Sequence, residues 1–212
     1  MENYFGKYAR FETVSKKDAA ALLGADNLVG DIYDIDIEID NGAHRAWLVS
    51  RFDARIGYLD EKTSRKLSLL KAQGLTCKAI LSFVAFTESS EEGKYWGEVA
   101  LICYNSAHAD AFAIFLQAVS KKLGEGVRPK IDFGNDGADK IVDTHGEWMP
   151  KQTVSYPDKG QNKGTAIIKR RRSMTDRLVE QGRAGNKGCY IVSWIFLLAL
   201  VALIVYVVMK LV

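Results

Sequence analysis

Residues 28–50 read LVGDIYDIDIEIDNGAHRAWLVS, and this stretch decides what kind of fold the chain adopts. Ile35, Ile37 and Ile39 alternate strictly with acidic residues, and this period of two predicts a β-strand with one buried face and one wet face. The Asn41-Gly42 pair that follows is typical of a type I′ turn, because both residues tolerate a positive φ. Residues 46–50 then predict the returning strand of a hairpin.

Strand and helix signals continue on both sides of this hairpin. Predicted strands cover residues 28–40, 46–50, 56–59, 75–88, 95–105 and 128–133. Predicted helices cover residues 15–24, 60–74 and 109–123. Helices are inserted into a strand meander without the regular alternation of a parallel sheet, so the predicted class is α+β with a small, mainly antiparallel sheet.

Charge and composition divide the chain into three parts. Residues 1–150 hold 18 basic and 23 acidic residues, a net charge of −5, whereas residues 151–189 hold 10 basic and 3 acidic residues, a net charge of +7. We predict a globular domain over residues 1–135, a polar and basic linker and juxtamembrane stalk over 136–189, and a transmembrane helix over 190–209. The basic stalk indicates an anionic partner.

The predicted membrane helix reads YIVSWIFLLALVALIVYVVM, twenty residues that span roughly 30 Å as a helix. A buried core helix is the alternative, but such helices are rarely apolar on every face. Basic residues lie upstream of the span, whereas Lys210 stands alone downstream, so the N-terminal domain is predicted to be cytoplasmic. The predicted membrane-surface residues are Arg170, Arg171, Arg172, Arg177, Arg183 and Lys187.

Residues 167–183 place apolar side chains near helical spacing among these basic residues. Two structures fit this pattern: an amphipathic helix lying on anionic headgroups, or a disordered tether. Both keep the basic cluster near lipid, where each Lys or Arg contributes about 1 kcal/mol. The predicted partners of the stalk are therefore the lipid bilayer and its anionic lipid headgroups.

No residue set indicates a catalytic, metal or cofactor site. The acidic row of the first strand (Asp34, Asp36, Glu38 and Asp40) fails as a calcium loop, since Asn41 stands where glycine is required, so a solvated strand face is expected. The three histidines lack metal-ligand spacing. Cys77 and Cys103 lie in apolar strands and are expected to be inert thiols of a reducing compartment. Cys189 adjoins the predicted span and is either palmitoylated or unmodified.

The stretch Ala46–Gly74, with its Ile56-Gly57-Tyr58 strand and glycine-ended helix, resembles the central part of the HIRAN domain. This resemblance implies a small, barrel-like sheet with inserted helices and, as in some members of that family, a grip on single-stranded DNA ends. The candidate binding residues that it suggests are Arg51, Arg55, Tyr58, Tyr95 and Trp96. Their alternative role is that of ordinary sheet-face and turn residues.

The sequence thus predicts a non-enzymatic binding module, held at the cytoplasmic face of a membrane, that recruits a protein or nucleic-acid partner. Two alternatives from other classes stay open. One is a small membrane-associated enzyme whose site is not visible in the sequence, and the other is a structural or assembly protein that acts through its membrane helix.

Overall fold

The computed structural model describes residues 3–13, 22–24, 26–88, 93–157, 164–176 and 198. The chain forms two compact units, Met1–Arg172 and Ser173–Val212, and the first contains all the strands and long helices named here. Its elements in chain order are β1 (Tyr4–Glu12), β2 (Ile32–Asp40), β3 (Ala43–Val49), β4 (Arg55–Leu59), α1 (Glu61–Ala72), β5 (Leu75–Thr87), β6 (Lys94–Asn105), α2 (Ala109–Gly124), α3 (Gly134–Asp143) and β7 (Thr165–Lys169).

The strands form one antiparallel sheet in the order β2-β3-β4-β1-β6-β5-β7. An additional β2–β5 pairing closes the first six strands into a barrel. β5 pairs with three strands. On one edge it pairs with β6, and on the other edge residues 78–80 pair with β2, whereas residues 84–87, beyond an irregularity between Leu81 and Phe83, pair with β7. The predicted α+β class and barrel-like antiparallel sheet are confirmed.

The barrel interior holds one of two main hydrophobic clusters. Because side chains alternate along each strand, every second residue points inward. Glycines on β4 and β6 leave room for the ring of Phe11, since a Cβ at Gly97 would lie 2.4 Å from it. The inward residues include Phe11, Ile35, Leu48, Leu59, Leu81, Val99 and Leu101, and Leu67 and Leu70 of α1 join the same cluster.

The second cluster covers the outside of β1, β5 and β6. Phe112 of α2 stacks on Tyr104 with ring centroids 4.5 Å apart, and Phe133 stacks on Tyr4 at 4.4 Å. The Tyr4 hydroxyl donates to the Ile131 carbonyl oxygen at 2.7 Å, which fastens the segment before α3 to β1. α2 and α3 therefore shield one side of the barrel from water.

Several boundaries differ from those that the sequence suggested. β1 was not predicted, whereas residues 128–133 form no strand and make only an isolated bridge from Pro129 to Thr153. Residues 134–143 form a helix, although the sequence Gly134-Asn-Asp-Gly137 is typical of a turn. Phe133, directly before this helix, packs on the rings of Tyr4 and Phe115, so tertiary packing overrides the local turn signal.

The first compact unit also extends beyond the predicted boundary at residue 135, since it ends at Arg172. Residues 165–169 form β7 on the edge of β5, in place of the amphipathic helix or disordered tether that we expected there. Ile167 packs against Phe83, Ala85 and Trp96 on the barrel, so its apolar side chain serves the sheet and not a lipid surface.

Cys77 and Cys103 form a disulfide between β5 and β6, so the expectation of free thiols is wrong. The two residues are direct cross-strand partners, with Cα atoms 4.1 Å apart, close to the spacing of a non-hydrogen-bonded antiparallel pair. Because disulfides are rare in the cytosol, this bond argues against the reducing compartment that we expected. The cytoplasmic orientation rests on the flanking charges alone and stays a prediction.

Among the described residues, no helix has both the length and the apolar character needed to cross a membrane. The predicted span at 190–209 falls outside the described part of the chain, apart from Leu198. The first predicted helix, residues 15–24, is described only at residues 22–24, where Leu22 reaches the barrel core.

Candidate functional site: an arginine–aromatic face

One row of side chains crosses the outside of the whole sheet. Its members are direct cross-strand partners, and paired residues on neighbouring strands point to the same face of the sheet. In sheet order the row is Asp36, Trp47, Tyr58, Glu12, Trp96, Ala85 and Ile167. We call the part of this surface on β2, β3, β4, β1 and β6, with its flanking basic residues Arg10, Arg45, Arg55 and Lys94, the arginine–aromatic face.

Trp47 lies at the centre of one half of this face. Its indole Nε1 donates to Glu38 Oε2 at 2.6 Å, and the same oxygen accepts from Arg55 at 3.3 Å. Arg55 also donates to Asp36 Oδ2 at 2.9 Å and places its guanidinium 5.0 Å from the Trp47 ring centre. The carboxylates thus hold a guanidinium over the indole, at an exposed arginine where such a contact contributes about 0.5–1 kcal/mol.

Arg45 completes this half. Its guanidinium lies 5.0 Å from the Tyr58 ring centre and 5.7 Å from that of Trp47, and the two rings meet edge to face at 5.4 Å. In the described chain Arg45 has no carboxylate within ion-pair distance, unlike Arg55. Its charge is therefore the one on this half that stays open to a partner.

The other half is built around Trp96. Arg10 stacks on this ring at 4.1 Å, and the indole Nε1 donates to the Thr87 hydroxyl at 2.9 Å. Glu12 lies between Tyr58 and Trp96 in the row and pairs with Lys94 at 2.5 Å and with Arg10 at 4.0 Å. Two strand spacings, roughly 10 Å, separate Tyr58 from Trp96.

The structure brings together three of the five predicted binding residues, namely Arg55, Tyr58 and Trp96. Tyr95 points to the opposite side of β6 and packs on Phe86 with ring centroids 4.8 Å apart, as strand alternation requires. Arg51 lies in the β3–β4 turn, 4.9 Å above the exposed ring of Phe52. Neither residue belongs to the arginine–aromatic face.

Sequence reasoning missed Arg10, Arg45 and Trp47. A signal for two of them was present, because a two-residue turn at Asn41-Gly42 fixes Glu38 opposite Arg45 and Asp36 opposite Trp47. No comparable local signal existed for Arg10, since β1 meets β6 only through pairing across more than eighty residues.

A second polar cluster, around Arg128, is structural. Its buried guanidinium pairs with Glu98, donates to the Ser155 carbonyl oxygen at 3.0 Å, and lies against the rings of Tyr8 and Tyr156. Burial raises the pKa of Glu98, although the Arg128 charge acts to lower it. Burial also raises the pKa of Tyr8 well above its ordinary value. This cluster fastens residues 128–156 to the barrel.

The acidic row on β2 is a solvent-facing surface. Lys78 pairs with Asp34, Arg55 holds Asp36 and Glu38, and Asp40 is exposed beside the hairpin turn. Within the described residues, no group of three or more His, Cys, Asp or Glu side chains is placed to hold a metal ion.

Two open cavities flank the arginine–aromatic face. One of about 350 Å³ lies beside Arg45 and Tyr58 and is bordered by Asp40 and Glu61. The other, of about 410 Å³, lies beside the Arg51–Phe52 turn and is bordered by Ser50 and Ile56. Both are open to solvent, so they fit surface docking better than an enclosed reaction.

The predicted membrane-surface residues divide into three groups. Arg170 and Arg171 are exposed, as a lipid contact requires. Arg172 is mostly buried, because its Nε donates to the Val29 carbonyl oxygen at 2.7 Å and its guanidinium lies 3.5 Å from Asp31. The fold therefore uses Arg172 internally. Arg177, Arg183 and Lys187 lie outside the described residues.

Comparison of the chain with protein-family models, with curated proteins and with solved structures finds no match in any of the three.

Proposed function

We propose that this chain is a membrane-tethered, non-enzymatic binding module of HIRAN-like type that recruits a protein partner through its arginine–aromatic face. The main support is the way helices and residue types are distributed over the outer surface of the barrel. α2 and α3 cover one side, whereas the side that they leave open presents Arg45, Arg55 and Tyr58, and Arg and Tyr are among the residue types that dominate the energetics of protein interfaces.

The charges of this face favour a protein over a single-stranded nucleic acid. Arg10, Arg55 and Lys94 each lie within 4.0 Å of a carboxylate, so little unbalanced positive charge faces the solvent. Trp47 and Trp96 are only 8% and 5% exposed, and the guanidinium groups of Arg55 and Arg10 lie over their rings. A nucleic-acid site needs open ring faces for stacking and a positive groove for the phosphates.

The membrane part of the proposal rests on sequence. The run 190–209 has the length and apolarity of a bilayer span, and the exposed Arg170 and Arg171 precede it. The proposed location is single-pass membrane, with the barrel on the cytoplasmic side. Full-length protein should stay with membranes at alkaline pH, and a chain ending at Lys187 should be released into the soluble fraction.

A photocrosslinker tests the face in cells. Benzoylphenylalanine replaces Tyr58, which is partly exposed on the face, or Leu69, an exposed residue of α1, as the matched control. We expect a discrete protein adduct from position 58 alone, and we expect Arg45→Glu to remove it while Arg65→Glu on α1 does not. Equal adducts from both positions, or none from position 58, would refute the proposal.

A separate titration tests the alternative that the partner is a single-stranded nucleic acid. Labelled single-stranded DNA is titrated into the full-length chain in a non-ionic detergent at low salt. Binding that Arg45→Glu abolishes would replace the protein partner with a nucleic-acid one, whereas flat anisotropy keeps the protein partner.

A further inference from the structure

β2 is longer than the strand segment that closes the barrel against it. On one edge it pairs with β3 from Asp34 to Asp40, but on the other edge it pairs with β5 only from Ile32 to Asp34. Continuing the β2–β5 register would set residue 75 opposite Ile37, and β5 begins at residue 75. In the part of the chain that the structure describes, no strand lies along residues 35–40 on this edge.

A lysine side chain lies where the pairing between β2 and β5 ends. Lys71 in the last turn of α1 donates from Nζ to the Ile35 carbonyl oxygen at 2.7 Å, so a side chain takes the place of the next strand pairing. Beyond it, Glu38, Ile39 and Asp40 are all exposed. The strand then ends abruptly at the Asn41-Gly42 turn, where φ is 50° and 81°. We call residues 35–40, on the side away from β3, the open edge of β2.

The two faces of the open edge differ sharply. On the inner face Ile35 is buried, Ile37 is partly buried and Ile39 is 60% exposed, so an apolar stripe continues out of the core into solvent. On the outer face the exposed side chains are Asp36, Glu38 and Asp40, three carboxylates against the single Arg55 that pairs with the first two, so this face keeps a net negative charge. A strand laid along this edge would meet apolar and acidic positions in alternation.

An unpaired strand edge attracts another strand, and the charges decide which one. A second copy of this chain would bring two acidic rows side by side, and like charges on neighbouring strands are destabilising. A strand that carries basic residues on the outer face would be attracted instead. The acidic row thus both prevents self-pairing and selects the occupant.

We infer that the open edge of β2 binds an extended segment of a partner protein in which Lys or Arg alternates with aliphatic residues. Backbone hydrogen bonds add the segment to the sheet, its aliphatic side chains cover Ile39 and the rim of Ile37, and its basic side chains meet Asp36, Glu38 and Asp40. The inference rests on the proposed function, because it gives the recruited protein a stated chemistry.

The test uses the full-length chain in a non-ionic detergent and a fluorescent peptide, Lys-Val-Lys-Val-Lys-Val. One control peptide has the same composition in two blocks, Lys-Lys-Lys-Val-Val-Val, and another replaces each lysine with glutamate. We expect the block peptide to bind at least about tenfold more weakly and the acidic peptide not at all. Equal affinity of the two basic peptides would overturn the inference, since charge alone would then explain binding.

Protein variants locate the site. Ile39→Thr and Asp40→Lys should each weaken binding about tenfold or more, while Ile168→Thr on β7 and Asp139→Lys on α3, which are also exposed, should not. Amide hydrogen exchange should slow within residues 35–40 when the peptide binds. Unchanged affinity in both edge variants, or no binding of the alternating peptide at low salt, would refute the open edge.

The two proposals can fail separately. If the edge variants behave as wild type while the crosslink at position 58 persists, the edge inference is wrong and the arginine–aromatic face stands. If the peptide binds the edge but no adduct forms at position 58, the face is wrong and the edge stands.

Discussion

Reducing the Cys77–Cys103 disulfide should lower the stability of the barrel substantially. The bond closes a loop with a sequence separation of 26 residues, which includes the whole β5–β6 turn. The chain-entropy relation for such a loop gives about 3.5 kcal/mol at 25 °C. For a domain of this size, 1 kcal/mol corresponds to about 2–4 °C in Tm, so reduction should lower Tm by about 7–14 °C.

The assay is thermal unfolding of the full-length chain in a non-ionic detergent, with and without a dithiol reductant. Alkylation after denaturation counts thiols in the same samples. One modified cysteine is expected without reductant, since Cys77 and Cys103 are bonded, and three are expected after reduction. Oxidised and reduced protein have the same side chains, so the difference isolates the crosslink.

Two variants provide the controls. Cys189→Ala should keep the full response to reductant, whereas Cys77→Ala combined with Cys103→Ala should unfold at the same temperature in both conditions, near the reduced wild type. The reasoning is refuted if reduction leaves Tm unchanged, or if three thiols react before any reductant is added.

Three further predictions concern other parts of the fold. Asp60→Ala removes the N-cap of α1, in which Asp60 accepts from the Thr63 N–H at 2.9 Å, and should cost about 1 kcal/mol in urea unfolding. Burial acts to raise the pKa of Asp60, but the hydrogen bonds from Thr63 outweigh burial and lower it. The stability difference between wild type and Asp60→Ala should therefore vanish as the pH falls through the lowered pKa. Glu98 has the opposite sign: burial raises its pKa, although the Arg128 charge acts to lower it, so wild-type stability should fall as the pH rises through the raised value. Glu98→Gln, which does not titrate, should lack this fall in urea midpoints measured from pH 4 to pH 7. Gly97→Ala would press a methyl group into the buried phenylalanine of β1 and should cost about 1–3 kcal/mol, measured as a lower Tm; an unchanged Tm would contradict the close packing there.

The hairpin and the helix after it could be predicted because their signals are local. Alternation defines β2, Asn41-Gly42 sets the turn and the register of β3, and Gly74 ends α1 with a positive φ. That register alone places Trp47 opposite Asp36 and Arg45 opposite Glu38 on the arginine–aromatic face. Local sequence patterns did not predict that the sheet closes into a barrel; that expectation came from the resemblance to the HIRAN domain.

The rest depends on contacts between distant residues. β1 reads poorly as a strand because Tyr4 and Tyr8 occupy its outer face beneath α3 and the Pro129 segment, where apolar rings replace the expected polar residues. The disulfide depends on the exact β5–β6 register, which the irregularity at residues 81–83 shifts by one residue. Such features appear only after the sheet is assembled.

The position of β1 has a consequence for the order in which this molecule can be assembled. The first strand of the chain lies between β4 and β6 and pairs with β6 from Tyr4 to Glu12. Synthesis therefore has to reach residue 105 before that pairing is complete, and long-range pairings of this kind fold slowly. A nascent chain would carry β1 uncovered until β6 has been synthesised, so chaperone binding to this segment is to be expected.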